Sequence, residues 1–166
     1  NLRENQEELT MKQKKICRWL KGLTVLLGTM GVAFFGGVTV LAFYMRQQNP
    51  QDPVWSFVFF SWYTAVLCYG VLFQFWNVCT QIGRDNSFSL ENVRSFHRMA
   101  MLGVAAGAGY LVRMVYLIAA GGFRWPVFLY NLALILLSVV FVTLCEALSQ
   151  LVRNAYEVKR ENELTI

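Results

Sequence analysis

Residues Pro53 to Gly83 read PVWSFVFFSWYTAVLCYGVLFQFWNVCTQIG, 31 positions without one charged side chain. The hydrocarbon core of a bilayer is about 30 Å thick and is crossed by about 20 helical residues, so this run is long enough to span it. Two more such runs flank it: 24 uncharged residues lie between Lys21 and Arg46, and 21 between Arg124 and Glu146. A fourth, Met99 to Gly121, is interrupted only by Arg113. The chain of 166 residues is 56% hydrophobic and 15% charged, against about 25% charged in soluble domains. These features predict an all-α polytopic membrane protein. Its single domain is a four-transmembrane-helix bundle of two antiparallel hairpins, with spans near 21–44, 54–79, 99–121 and 126–149. Gly22–Tyr44 is too long for the apolar region of a signal peptide, about 7–15 residues, and reads as a retained first span.

Sidedness follows from the basic residues, because Lys and Arg accumulate on cytoplasmic loops. Arg3, Lys12, Lys14, Lys15, Arg18 and Lys21 precede the first span. Arg84, Arg94 and Arg98 lie between the second and third, and Arg153, Lys159 and Arg160 follow the fourth. The opposite side has Arg46 and Arg124. Both termini and the middle loop are therefore expected in the cytoplasm. The net charge of +5 is accounted for by this asymmetry, so no direct nucleic-acid binding is expected. Indole rings prefer the headgroup level; Trp19 and Trp76 fall at the inner boundary, Trp55 and Trp125 at the outer one. Cys17, Cys79 and Cys145 fall at the inner boundary and Cys68 inside span two. With no CxxC pair, a disulfide or zinc framework is not expected.

The outer connections Met45–Pro53 and Gly121–Pro126 are too short to form a domain. In GVAAGAG (Gly103–Gly109), Gly103 and Gly107 share a face, as do Ala105 and Gly109, and small residues let helix backbones approach in lipid. Gly28, Gly31, Gly36 and Gly37 offer span one the same option. The expected use is packing within the chain. The middle loop, IGRDNSFSLENVRSFHRMA (Ile82–Ala100), has a turn cluster at Gly83–Ser87. Ser89 follows as an N-cap, Glu91 sits in the first turn, and Phe88 with Val93 form a hydrophobic staple. Val93, Phe96 and Ala100 would line one face, Arg94 and Arg98 another. This predicts a short amphipathic helix on the cytoplasmic surface, ahead of span three. Residues 1–10 read as an extension or remnant ahead of a natural start at Met11.

Arg113 is the one charge inside a span, and such a charge is a functional candidate by default. Glu146 is its natural counter-ion, but the two fall roughly 18 Å apart along the membrane normal at 1.5 Å per residue. Glu146 is expected at the inner boundary near Arg153 or Lys21. The groups at the depth of Arg113 are Tyr63, Thr64, Thr39 and Asn131, a candidate ligand or lipid site. Either Arg113 snorkels outward to lipid phosphate, or it lines an outward-facing polar pocket for an anion. His97 is the only histidine; without a carboxylate or cysteine cluster it makes no metal site. No HExxH, GxSxG or P-loop occurs, so neither an enzyme nor a cofactor is expected.

The start MKQKKICRWLKGL (Met11–Leu23), the loop Ile82–Ala100 and the ending AYEVKRENELTI (Ala155–Ile166) resemble the bacterial family catalogued as domain of unknown function 2975. The resemblance implies four spans, residence in the bacterial inner membrane, no established enzymatic activity and, for some members, partnership with small cytoplasmic helix-turn-helix regulators encoded nearby. Three functions compete. In the first, a regulatory protein docks a soluble partner on its cytoplasmic face through Arg94, His97, Arg98, Glu157 and Arg160. In the second, a transporter, channel or accessory subunit works as a homo-oligomer. In the third, a sensor reads lipid or a small anion through Arg113.

Overall fold

A computed structural model describes residues 2–48, 54–83, 89–121 and 124–164. They form four helices: α1 Leu2–Gln48, α2 Val54–Ile82, α3 Leu90–Ala119 and α4 Trp125–Leu164. Each contains a stretch long and apolar enough to cross a membrane, as the uncharged runs predicted, and the molecule is a multi-pass membrane protein. At 1.5 Å per residue α2 and α3 are roughly 45 Å long, while α1 and α4 reach about 70 and 60 Å.

Contacts fix an antiparallel series. Cys17 Sγ donates to the Cys79 carbonyl at 2.7 Å, the Tyr69 hydroxyl to the Gly28 carbonyl at 2.7 Å, and Phe43 meets Trp55 edge-on at 6.0 Å. As numbers rise along α1 they fall along α2. The same holds from α2 to α3 (Gln81 with Glu91, Tyr63 with Ala105) and from α3 to α4 (Val93 with Ser149, Gly107 with Ser138). One end of the bundle, the basic end, thus gathers Arg18, Lys21, Arg94, Arg98 and Arg153. The opposite end holds Arg46 and Arg124. Lys21 lies over the Trp76 ring at 5.2 Å and Arg46 over Trp55 at 5.0 Å, so one tryptophan at each boundary carries a cation on its face.

Backbone approach follows residue size. The chain buries small and polar side chains between helices: Ala42, Ala65, Ala100, Asn92, Ser95, Asn131 and Ser149. Large apolar side chains such as Phe34, Phe59, Leu137 and Val140 face outward. In lipid there is no gain in hiding a leucine, so helix association falls to close packing and polar contacts. Gly103 and Gly107 face α4. A methyl at Gly103 would lie 2.8 Å from Val142 Cγ2, and one at Gly107 would lie 3.3 Å from Ser138 Cβ. Gly109 instead faces α2, where a methyl would meet the Tyr63 ring at 2.6 Å. Gly28 and Gly31 pack on Tyr69, but a methyl at Gly36 or Gly37 would meet nothing within 4 Å, so only two of these four glycines serve packing within the chain.

Ser89 caps α3 in extended backbone (φ −125°, ψ 151°), its hydroxyl accepting the Asn92 amide at 3.3 Å. The proposed staple partner Phe88 and the turn residues 84–87 lie outside the described residues. The separate surface helix expected here is not formed: α3 runs unbroken from Leu90 to Ala119. Neither Gly nor Pro occurs between Leu90 and Leu102 to interrupt it. Its packed face takes in Ala100 and Phe96 of the expected stripe and is wider than that stripe. Asn92, Ser95, Met99 and Ala100 are buried, with Val93 and Phe96 half-buried, because the neighbour is a helix that accepts small and polar groups. Ser149 donates to the Val93 carbonyl at 3.3 Å. At its other end α3 stops at Gly121, whose φ of 69° suits glycine in a left-handed C-terminal cap.

Candidate functional site

Among the described residues α1 approaches α2, α2 approaches α3 and α3 approaches α4, but α1 and α4 have no close backbone contact. Between them, at mid-span, is a cavity of about 560 Å³. Every helix contributes to its wall: Gly31 and Phe35 from α1, Thr64 and Cys68 from α2, Leu102, Ala106 and Tyr110 from α3, Ser138 and Phe141 from α4. The wall is apolar apart from a few hydroxyls and a thiol, and those hydroxyls are already engaged. Thr64 donates to the Phe60 carbonyl at 2.8 Å, so the 2.5 Å contact between Thr64 Oγ1 and the Tyr110 hydroxyl has Tyr110 as donor. Ser138 donates to the Leu134 carbonyl at 2.9 Å.

Arg113 lies one turn beyond Tyr110 on α3. Its Cζ stands 4.8 Å from the centre of the Phe60 ring, a cation–π contact. Phe60 is six residues, roughly 9 Å, inside the start of α2. Side chains on a helix lean toward its N-terminus, which for α3 is the basic end. The guanidinium is thus held at the level of the Phe60 ring. The expected neighbours share its level without bonding to it. Tyr63 donates to the Ala105 carbonyl at 2.7 Å, Thr64 is taken up by Phe60 and Tyr110, and Asn131 donates to its own helix at Val127 at 2.7 Å. Thr39 donates to Phe35 of its own helix at 2.8 Å. The buried Nε of Arg113 has no acceptor, and Oδ1 of the fully buried Asn131 has no donor.

At the basic end, Arg94, His97 and Arg98 are exposed on α3, and Glu157 and Arg160 on α4. His97 Nδ1 lies 2.9 Å from Glu146 Oε1, so the partner of Glu146 is His97, not Arg153 or Lys21. Arg153 instead pairs with Glu157 at 3.1 Å within α4. No group of three metal-binding side chains comes together among the described residues.

Residues 40–166 match the model of a family described as a protein of unknown function, DUF2975. The chain belongs to that family. No curated protein and no solved structure matches it. The DUF2975 match takes in α2, α3 and α4, the cavity wall they supply and Arg113. The opening Met11–Leu23, one of the three stretches carrying the resemblance, precedes it.

Sequence reasoning thus found the residues at the level of Arg113 but not the cavity below them. The His97–Glu146 contact also escaped it. A cavity leaves no motif, and a contact across 49 positions depends on a register that only the folded α3–α4 pair sets.

Proposed function

We propose that this protein is a membrane-anchored regulator in the bacterial inner membrane, acting by binding and not by catalysis, whose basic end faces the cytoplasm and docks a small soluble protein. One observation carries the reading: α1 and α4 outrun the helices they pack on. With Cys17 against Cys79 and Ser149 against Val93, the first part of α1 and the last part of α4 project as arms of about three turns each. On the described part of α4 beyond α3, Val158 is 58% exposed between Glu157 and Arg160, at the same end as Arg94 and Arg98. An exposed apolar side chain ringed by charges suits a specific protein contact, with the charges governing association rate and selectivity. The family resemblance suggests a helix-turn-helix regulator as the partner. A transporter or channel, alone or as an oligomer, has less to build on, since the cavity wall supplies no ionisable pathway.

The test is affinity capture of the detergent-solubilised full chain against the soluble cell fraction, using wild type and the double reversal Arg94→Glu, Arg98→Glu. The expected result is a small soluble protein retained by wild type and lost on reversal, with the loss deepest at low salt, where screening is weakest. Retention that ignores the reversal, or no retained soluble protein, contradicts the proposal.

A further inference from the structure

Arg113 presents a cation inside a membrane span with no carboxylate, hydroxyl or carbonyl bonded to it among the described residues; its only recorded partner is the face of Phe60. A charge at that depth is costly unless it is paired, and none of the described residues supplies the pair. One turn away begins a cavity whose 560 Å³ falls within the range of ligand sites, about 300–1,000 Å³. Its hydroxyls are spent on protein acceptors: Tyr110 gives its proton to Thr64, and Thr64 to Phe60. The cavity can therefore accept a hydrocarbon but offers a polar head no free hydroxyl, only the weak thiol donor of Cys68. The Arg113 guanidinium stands one turn beyond Tyr110 of the cavity wall, and what a guanidinium recognises is an anion.

We propose that the cavity binds a long-chain carboxylate, with its acyl chain between the four helices and its carboxylate on the Arg113 guanidinium. The planar fork of arginine matches a carboxylate, and the buried Nε–H of Arg113 has no acceptor among the described residues. Depth argues for so small a head. Arg113 lies eight residues, roughly 12 Å, below Gly121 at the end of α3, where a glycerol-linked phosphate would have to be drawn into the span together with a second chain. The missing contact between α1 and α4 gives the ligand a lateral way in from the bilayer. The partner-docking reading at the basic end plays no part in this argument.

Radiolabelled palmitate is titrated against the full-length protein in phosphatidylcholine nanodiscs, with hexadecanol and phosphatidylglycerol as competitors. Palmitate is expected to bind saturably, and hexadecanol to compete at least about tenfold more weakly, because it lacks a charge-assisted hydrogen bond. Arg113→Gln should lose that preference for the charged head, and Arg113→Lys should keep most of it. Ala106→Phe, on the cavity wall, should abolish binding, with folding verified by thermal unfolding; if that variant is unfolded, Ser138→Leu takes its place. Equal binding of palmitate and hexadecanol to wild type, or undiminished charge preference in Arg113→Gln, overturns the proposal. Equal competition by phosphatidylglycerol overturns the assignment to a single-chain carboxylate.

Discussion

His97 Nδ1 and Glu146 Oε1 stand 2.9 Å apart, tying α3 to α4 where the basic end begins. Both side chains are partly open to solvent, 61% and 40%, so the contact sets register more than it adds stability. A double-mutant cycle of His97→Ala and Glu146→Gln, read by thermal unfolding in detergent, should give a coupling of about 0.2–1 kcal/mol. A coupling of several kcal/mol would mean that the pair is far more buried than its exposure indicates.

Gly109 of α3 and Gly37 of α1 should respond in opposite ways. Gly109→Ala drives a methyl into the Tyr63 ring, and Tyr63 is held by its bond to Ala105, so it cannot easily swing aside. Destabilisation of about 1–3 kcal/mol is expected from overpacking. Gly37→Ala meets nothing and should be neutral, or stabilising by up to about 1 kcal/mol through helix propensity. Unfolding temperatures of the two variants that move together would contradict the packing described for Tyr63.

The Ser89 cap should be worth about 1 kcal/mol. Ser89→Ala is expected to speed hydrogen exchange at the Asn92 amide, which loses the hydroxyl acceptor and keeps only the Ser89 carbonyl at 3.1 Å, and to leave the middle of α3 unchanged. An unaltered Asn92 amide would remove the cap from the account.

The legible part of this fold was its apolar arithmetic. Runs such as Pro53–Gly83 need no partner to be read, because the bilayer sets the required length. The Gly103–Gly107 face was legible for a similar reason: close approach needs missing side chains. The buried face of α3 near Asn92 and Ser95 was not. An apolar stripe is the right guide to burial in water, but between membrane helices small polar residues are the packed ones. The failure at Arg113 has the same root, since equal depth put Tyr63, Thr64 and Asn131 beside it. Each hydroxyl or amide had a nearer carbonyl to bond, and depth alone says nothing about that competition. The cavity depends on α1 and α4 failing to meet, a fact of three-dimensional arrangement with no signature in either helix.

The account rests on the basic end facing the cytoplasm, and one measurement tests that most directly. With Cys17, Cys68, Cys79 and Cys145 replaced by serine or alanine, single cysteines are introduced at Gln47, beside Arg46, and at Asn154 on the exposed side of α4. Intact cells are then treated with a membrane-impermeant maleimide. The account predicts labelling of Gln47→Cys in intact cells, and of Asn154→Cys only after permeabilisation. Labelling of Asn154→Cys in intact cells with protection of Gln47→Cys would invert the molecule and contradict the proposed docking face.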